Sequence, residues 1–230
     1  MKTGVSMLIK DAKKITESLT RTSKMPGKSY SLPAWECQTG WKLSKIEGTP
    51  CFSCYAKRNN YTRYPKIKEV QYKRLEAINH PLWVEAMAKQ INEDYFRWHD
   101  AGDIQSVEHL KKIFEVCKLT PNTKHWLPTQ ERQYILAVDP NEIPDNLIIR
   151  LSGSKINGSV PKAWEYTSTV VTNNNPSCKA YLTDKNKKVH TTNEFDNYTK
   201  EQKKELDFGH CGDCRMCWNK EIKNVSYGKH

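Results

Sequence analysis

Between Lys66 and Asn92, apolar residues recur mostly at three- or four-residue steps, through Ile67, Val70, Leu75 and Ile78 and then Leu82, Val84, Met87 and Ile91. That spacing predicts helix. His80-Pro81 breaks the run, so two helices are expected, with Pro81 suited to a first turn. A third is predicted from Ser106 to Leu119, with Ser106 as its N-cap and Cys117 as a buried apolar position. The other apolar runs are strand-sized: Tyr95 to Asp100, His125 to Gln130, Asn146 to Gly153 and Ser168 to Thr172. Tyr30 to Trp35 is a further extended piece, which Pro33 should keep from the centre of a sheet.

Strands separated by helix-sized spacers predict right-handed βα units, hence an α/β fold whose parallel sheet is open or curls into a partial βα barrel. Ligands of such sheets bind at the carboxyl ends of the strands. Each expected strand turns polar there: His99, Asp100 and Asp103 on the first, Thr129 and Gln130 on the second, Arg150 and Ser152 on the third, Thr172 and Asn173 on the fourth. His99, Asp100 and Asp103 are the candidate catalytic groups, since an imidazole beside a carboxylate serves as an acid–base pair or as a supported metal ligand, with a structural histidine at a strand end as the alternative for His99. Arg150 is the only charge from Leu147 to Leu151. If buried, it needs an anionic partner, either a bound carboxylate or phosphate or else Asp100 or Asp103.

Charge adds a partner class. Lys and Arg number 37 against 26 Asp and Glu, a formal charge of +11 that points to a polyanion such as DNA or RNA. Residues 1–28 carry much of this character and read as a basic arm of low intrinsic order, suited to phosphate contact and ended by Pro26-Gly27. No apolar leader precedes Met25 and no run approaches membrane-spanning length, so a cytoplasmic protein with no membrane partner is expected.

The eight cysteines fall into two groups with one outlier, Cys117. Clustered thiols in a reducing compartment point to metal ligation rather than disulfides. Cys211, Cys214 and Cys217 stand at C-x2-C-x2-C spacing, with Cys178 as the available remote fourth ligand. Three thiols so close crowd one ion and suit the corner irons of a [4Fe-4S] cluster, with zinc held by four thiolates as the alternative. With four ligands the site has no open position and acts as a staple for a metal-bound C-terminal subdomain, residues 176–230. Cys37, Cys51 and Cys54 form a second group inside the α/β core, residues 29–175. A cubane held by three cysteines leaves one iron open to an outside ligand.

Several stretches together resemble the phage "gene product eighty-eight" domain family: Lys24-Met25-Pro26 with Leu32-Pro33-Ala34, Cys51-x-x-Cys54-Tyr55-Ala56, Phe96 to Asp103, Arg150-Leu151-Ser152-Gly153, and the closing C-x-x-C-x-x-C-W. The resemblance implies a phage or mobile-element origin and a bacterial host cytoplasm. A wider similarity is to radical-SAM proteins, whose partial barrel carries a three-cysteine cluster near its first strand. That similarity implies a [4Fe-4S] cluster on Cys37, Cys51 and Cys54 whose open iron takes S-adenosylmethionine, with Gly102-Asp103 as the acidic turn that meets the methionine amine. Thr129, Arg150 and Ser152 would complete the cofactor pocket. The first cysteine gap departs from the radical-SAM pattern, at thirteen residues instead of three, and Ser53 stands where an aromatic precedes the last cysteine. The expectation is therefore an iron-sulfur enzyme of radical-SAM type acting on a substrate such as nucleic acid. Its alternative is a nonenzymatic nucleic-acid-binding protein with structural zinc or iron-sulfur sites.

Overall fold

A computed structural model describes residues 7–58, 60–172 and 175–229. The chain begins with helix α1 (Ile9–Thr16), a two-residue strand β1 (Thr20–Arg21) and strand β2 (Lys28–Tyr30). Short helices α2 (Gln38–Leu43) and α3 (Asn60–Arg63) flank the first cysteine loop, and α4 (Pro65–Ala77) and α5 (Trp83–Gln90) follow. Next come β3 (Tyr95–Trp98), α6 (Val107–Leu119), β4 (Lys124–Thr129), α7 (Arg132–Ile135), β5 (Leu147–Ser152) and β6 (Thr167–Val171). The last part holds α8 (Thr192–Asn197), α9 (Lys200–Leu206) and β7 (Asn224–Gly228).

The seven strands form one sheet in chain order, β1 to β7, and every pairing is parallel except that of β1 with β2. When parallel neighbours follow one another in sequence, right-handed crossovers all return on the same side. Accordingly α5 and α6 bury their apolar stripes on one face, against Phe96, Trp98, Leu127, Ile149 and Leu151. Helix α4 joins this core only through Leu75 and Ala77, its other buried residues being Gln71 and Arg74 and its Ile67 exposed. The alternate positions face the other way. Trp126 and Ile148 meet Trp218, Cys217 and Val225 from the C-terminal segment, so the chain's own end covers the second face.

Ser106 caps α6 as the sequence implies, its side chain accepting from the His109 N–H at 3.1 Å. Three readings change. The N-terminal segment is not a loose arm from Ile9 onward: Ala12 and Thr16 are buried, Gln90 Nε2 donates to Thr16 Oγ1 at 2.6 Å, and β1 joins the sheet. Residues 1–6 of that segment lie outside the described residues, as does Asn173. The extended piece near Tyr30 lies between β1 and β3, inside the sheet, because it ends before Pro33 and loses no ladder hydrogen bond to it. Residues beyond 176 do not stand apart from the core, since β7 pairs with β6 from Thr167↔Asn224 to Val171↔Gly228. Among the described residues no helix is long and apolar enough to cross a membrane.

Candidate metal centres and the strand-end rim

All eight cysteines are free thiols. Cys37, Cys51 and Cys54 meet in space despite their thirteen-residue gap. A Cβ built on Gly40 would lie 3.7 Å from the sulfur atoms of both Cys37 and Cys51, so glycine there leaves room between them. Cys37 and Cys54 pack with Ala34, Ala56, Ala101 and Tyr61. Burial pushes the Cys51 thiol up to about 12, with Cys54 and Asp103 adding to it while Lys57 opposes. Burial raises Cys37 as well, and Asp103, Cys54, Cys51 and Glu131 act in the same direction. These are protonated thiols that metal capture would deprotonate.

The loop is placed by the strand ends. Cys37 precedes α2, whose Thr39 gives both its N–H and its hydroxyl to the buried Glu131 carboxylate, each at 2.7 Å. On the other side, Gly102 adopts φ +81° and touches the Leu32 segment so closely that a Cβ would lie 2.6 Å from Leu32 Cβ and 2.7 Å from Leu32 O. Leu32 N–H donates to Ala101 O at 2.8 Å. Gly102 thus keys the end of β3 to the segment leading into Cys37.

The rim residues are joined to one another. Asp103 accepts from Ile104 N–H at 2.8 Å, Thr129 Oγ1 at 2.6 Å and Gln130 N–H at 2.8 Å. Burial pushes its carboxyl up to about 7 in spite of those donors. Gln130 Nε2 reaches Gly153 O at 3.2 Å, and Ser152 Oγ faces Ser168 Oγ at 3.2 Å. Asp100 accepts from Ser29 Oγ at 2.6 Å and from Tyr61 at 2.7 Å, and its carbonyl accepts from Tyr55. His99 departs from the rim. Held at φ 57°, it turns toward α6, donates from Nδ1 to Tyr30 O at 3.1 Å and lies 5.4 Å from the His109 ring. Burial lowers its pKa to about 4, so it is a neutral imidazole of the helix face.

Cys178, Cys211, Cys214 and Cys217 line one cavity of 210 Å³. Each segment is pinned: Cys178 N–H to Ser226 O at 2.9 Å, Cys211 N–H to Lys24 O at 2.8 Å, and Cys217 Sγ 3.1 Å from the Tyr227 hydroxyl. Between Cys178 and Cys211 the chain makes a detour through α8 and α9 and closes on itself, Gly209 N–H donating to both Ala180 O and Thr183 O at 3.1 Å. Among the described residues no three His, Cys, Asp or Glu side chains are drawn tightly enough to hold a single metal ion.

Arg150 is not at the rim and pairs with neither Asp100 nor Asp103. It is fully buried on the face under the C-terminal cysteines, where Nε donates to Cys217 O at 3.0 Å, Nη2 to Met216 O and Asn219 O at 3.0 and 2.9 Å, and Nη1 to Ile222 O at 2.9 Å. Backbone carbonyls take the place of the anionic partner expected from the sequence.

Arg97 was not singled out in the sequence. It lies on the same face as Arg150, 4.7 Å from the Trp126 ring, with a buried Nε that has no hydrogen-bond partner. Burial works against its charge, yet Tyr55, Asp100, Tyr227 and Cys217 together push its pKa up. It also lowers the thiols of Cys211 and Cys217 against the burial that raises them, so one cation serves both the rim and the second cysteine set. The alternation of Phe96 and Trp98 with Tyr95 and Arg97 was the available signal. No curated protein and no solved structure matches the chain. A family model described as Gene product 88 matches residues 6–220, spanning the cysteine trio, the rim and the closing C-x2-C-x2-C, and the chain belongs to that family.

Proposed function

We propose that the protein is an iron-sulfur enzyme of the radical-SAM type, working in the cytoplasm of a phage host. The carrying observation is one of placement. The trio Cys37, Cys51 and Cys54 follows β2, the first of six parallel strands in sequential order, and sits beside Asp103 and Glu131 from the next two strand ends. Sequential parallel strands are the pattern of a partial βα barrel, whose sites lie at that end.

The donors fit an open cluster. Asp103 and Glu131 are the carboxylates whose charge acts on the Cys37 thiol, and both are committed to hydrogen bonds, so three thiolates are what the site offers to iron. A cluster bound there supplies an iron with a free position for the amino and carboxylate groups of S-adenosylmethionine, and an electron for cleaving its sulfonium bond. Glu131 and Gly102 position the loop, while Asp103 fixes the mouth by tying the ends of β3 and β4. Cys178, Cys211, Cys214 and Cys217 suit a closed cluster. A zinc about 2.3 Å from each sulfur pulls four thiolates onto one point. A cubane would spread them over separate irons, and a cavity of 210 Å³ lined by all four cysteines supports that reading.

Anaerobic purification with iron and sulfide analysis tests the assignment, with about eight irons per chain expected for two cubanes. The reduced protein's paramagnetic spectrum should change on adding S-adenosylmethionine, and Cys37→Ala should abolish that change while retaining about half the iron. Zinc alone would sink the enzyme and leave the nonenzymatic alternative, with both cysteine sets as structural staples.

A further inference from the structure

A second cavity, 810 Å³ in volume, opens between residues 20–25, the start of α4 and the floor of β3. Its wall toward the cysteine trio includes Tyr55, next to Cys54, and Tyr61, which packs on the same cluster of Ala34, Ala56 and Ala101 as Cys37 and Cys54. Asp100 joins the two, its carbonyl taking the Tyr55 hydroxyl and its carboxylate the Tyr61 hydroxyl at 2.7 Å.

Five cations line this cleft, Arg21, Lys24, Lys66, Arg74 and Arg97, against the single carboxylate of Asp100. Lys24 is already paired, with Asp207 at 2.7 Å. Arg74, only 4% exposed, gives Nη1 to Ser31 Oγ at 2.5 Å, yet its Nε has no partner. Arg97 likewise keeps a buried Nε without a partner. Two deep guanidinium charges, under a mouth carrying Arg21 and Lys66, make the cleft a site for phosphate rather than for a neutral ligand. The aromatic content narrows the class further. Tyr55, 47% exposed, and Tyr64, 50% exposed, present rings at the cleft, and base faces stack on such rings only when they are not already stacked in a duplex.

We propose that this cleft binds single-stranded nucleic acid, with backbone phosphates drawn toward Arg97 and Arg74 and bases stacked on Tyr64 and Tyr55. As a binding site it is independent of the metals. As a substrate site it rests on the open-cluster assignment, since Tyr55 in its wall directly follows Cys54 and Tyr61 shares the alanine cluster under Cys37 and Cys54.

The test is fluorescence anisotropy of a labelled oligothymidylate of about twelve nucleotides with the full chain, purified anaerobically, its iron and zinc measured on the same preparation. Binding should weaken with salt, and Tyr64→Ala should weaken it about tenfold while the melting temperature stays near wild type. Arg21→Glu with Lys66→Glu, both on the surface, should weaken it further and flatten the salt slope. Duplex of the same length, thymidine monophosphate and polyglutamate should compete poorly. Equal competition by duplex or polyglutamate would show a general polyanion surface, and equal competition by the mononucleotide a nucleotide pocket; either overturns the proposal, as does wild-type affinity in both variants. Tight binding by a zinc-only protein would reject the enzyme and keep the cleft. An iron-loaded protein that does not bind would do the reverse.

Discussion

Arg150 Nε lies 3.0 Å from the carbonyl oxygen of Cys217, across the sheet from the helices. The contact ties a cation in β5 to the backbone of a cysteine loop, and Met216, Asn219 and Ile222 share the same guanidinium. Removing it leaves several buried carbonyls without donors, each costing about 1–3 kcal/mol. Arg150→Met should therefore lower stability by roughly 3–5 kcal/mol in urea titration. Proteolysis should then open the chain first near residues 216–223. A Lys substitution should recover only part of the loss, since one ammonium cannot match the guanidinium fork.

Gly102→Ala should cost at least about 2 kcal/mol, because φ +81° is strained for any Cβ and the new methyl would meet Leu32. The effect should be local as well. Iron bound by the trio is expected to fall before iron bound by the C-terminal four, in metal analysis combined with electron paramagnetic resonance. Equal loss at both sites would show that Gly102 supports the whole fold instead of the first loop.

Cys117 provides the internal control. It is buried among α6 core residues, far in character from the other seven thiols, and burial holds it protonated. Cys117→Ala should leave iron and zinc content unchanged and cost about 1 kcal/mol of stability. On the proposed assignment, Cys214→Ala, at the exposed cysteine of the second set, should instead lose metal from that set with little change in the apoprotein's melting temperature.

Acid should weaken the fold. His99 and His125 have pKa values lowered by burial to about 4 and about 3, and His109 also lies well below 6.5. Between about pH 6.5 and 4 the unfolded chain thus binds more protons at these sites, and stability falls as pH drops through that window. Asp103 has the opposite sign: raised to about 7 from 3.8, its carboxyl favours the folded state as pH falls through the same range. Three imidazoles outweigh one carboxyl, so the melting temperature should be lower at pH 5 than at pH 7. His99→Asn tolerates the left-handed backbone and removes one titrating group, so it should flatten this dependence.

Much of the framework was legible in the sequence because β3, β4, β5 and β6 each end an apolar run in polar residues, and Ser106 marks where α6 begins. The strands β1 and β7 were not, since Thr20–Arg21 is too short for a period and Asn224–Gly228 shows little apolar alternation. The burial of helix α1 escaped because its contacts come from Ala12 and Thr16, residues with weak apolar signals. The two arginines show a further limit. Sequence alone marked Arg150 as a cation needing an anion, but the turn that satisfies it is remote in the chain and offers only backbone. Arg97 was visible in Phe96-Arg97-Trp98, yet nothing local says that Trp126 and a second cysteine set lie against it. Likewise, the meeting of Cys37 with Cys51 depends on a loop held by Glu131, ninety-odd residues downstream.

The detour between Cys178 and Cys211 leaves and rejoins the body at one point, because Gly209 N–H binds the carbonyls of Ala180 and Thr183. Inside it, Phe208 meets Phe195 and His190 edge to face and Tyr198 at a tilt, and Asp184 holds His190 at 3.0 Å, so the excursion carries its own small interior. In modular terms it is a cassette: a short linker between Thr183 and Gly209 should keep the two chain ends together, at the cost of the Lys187 and Val189 wall of the four-cysteine cavity and of the Lys24–Asp207 and Lys187–Asp213 pairs.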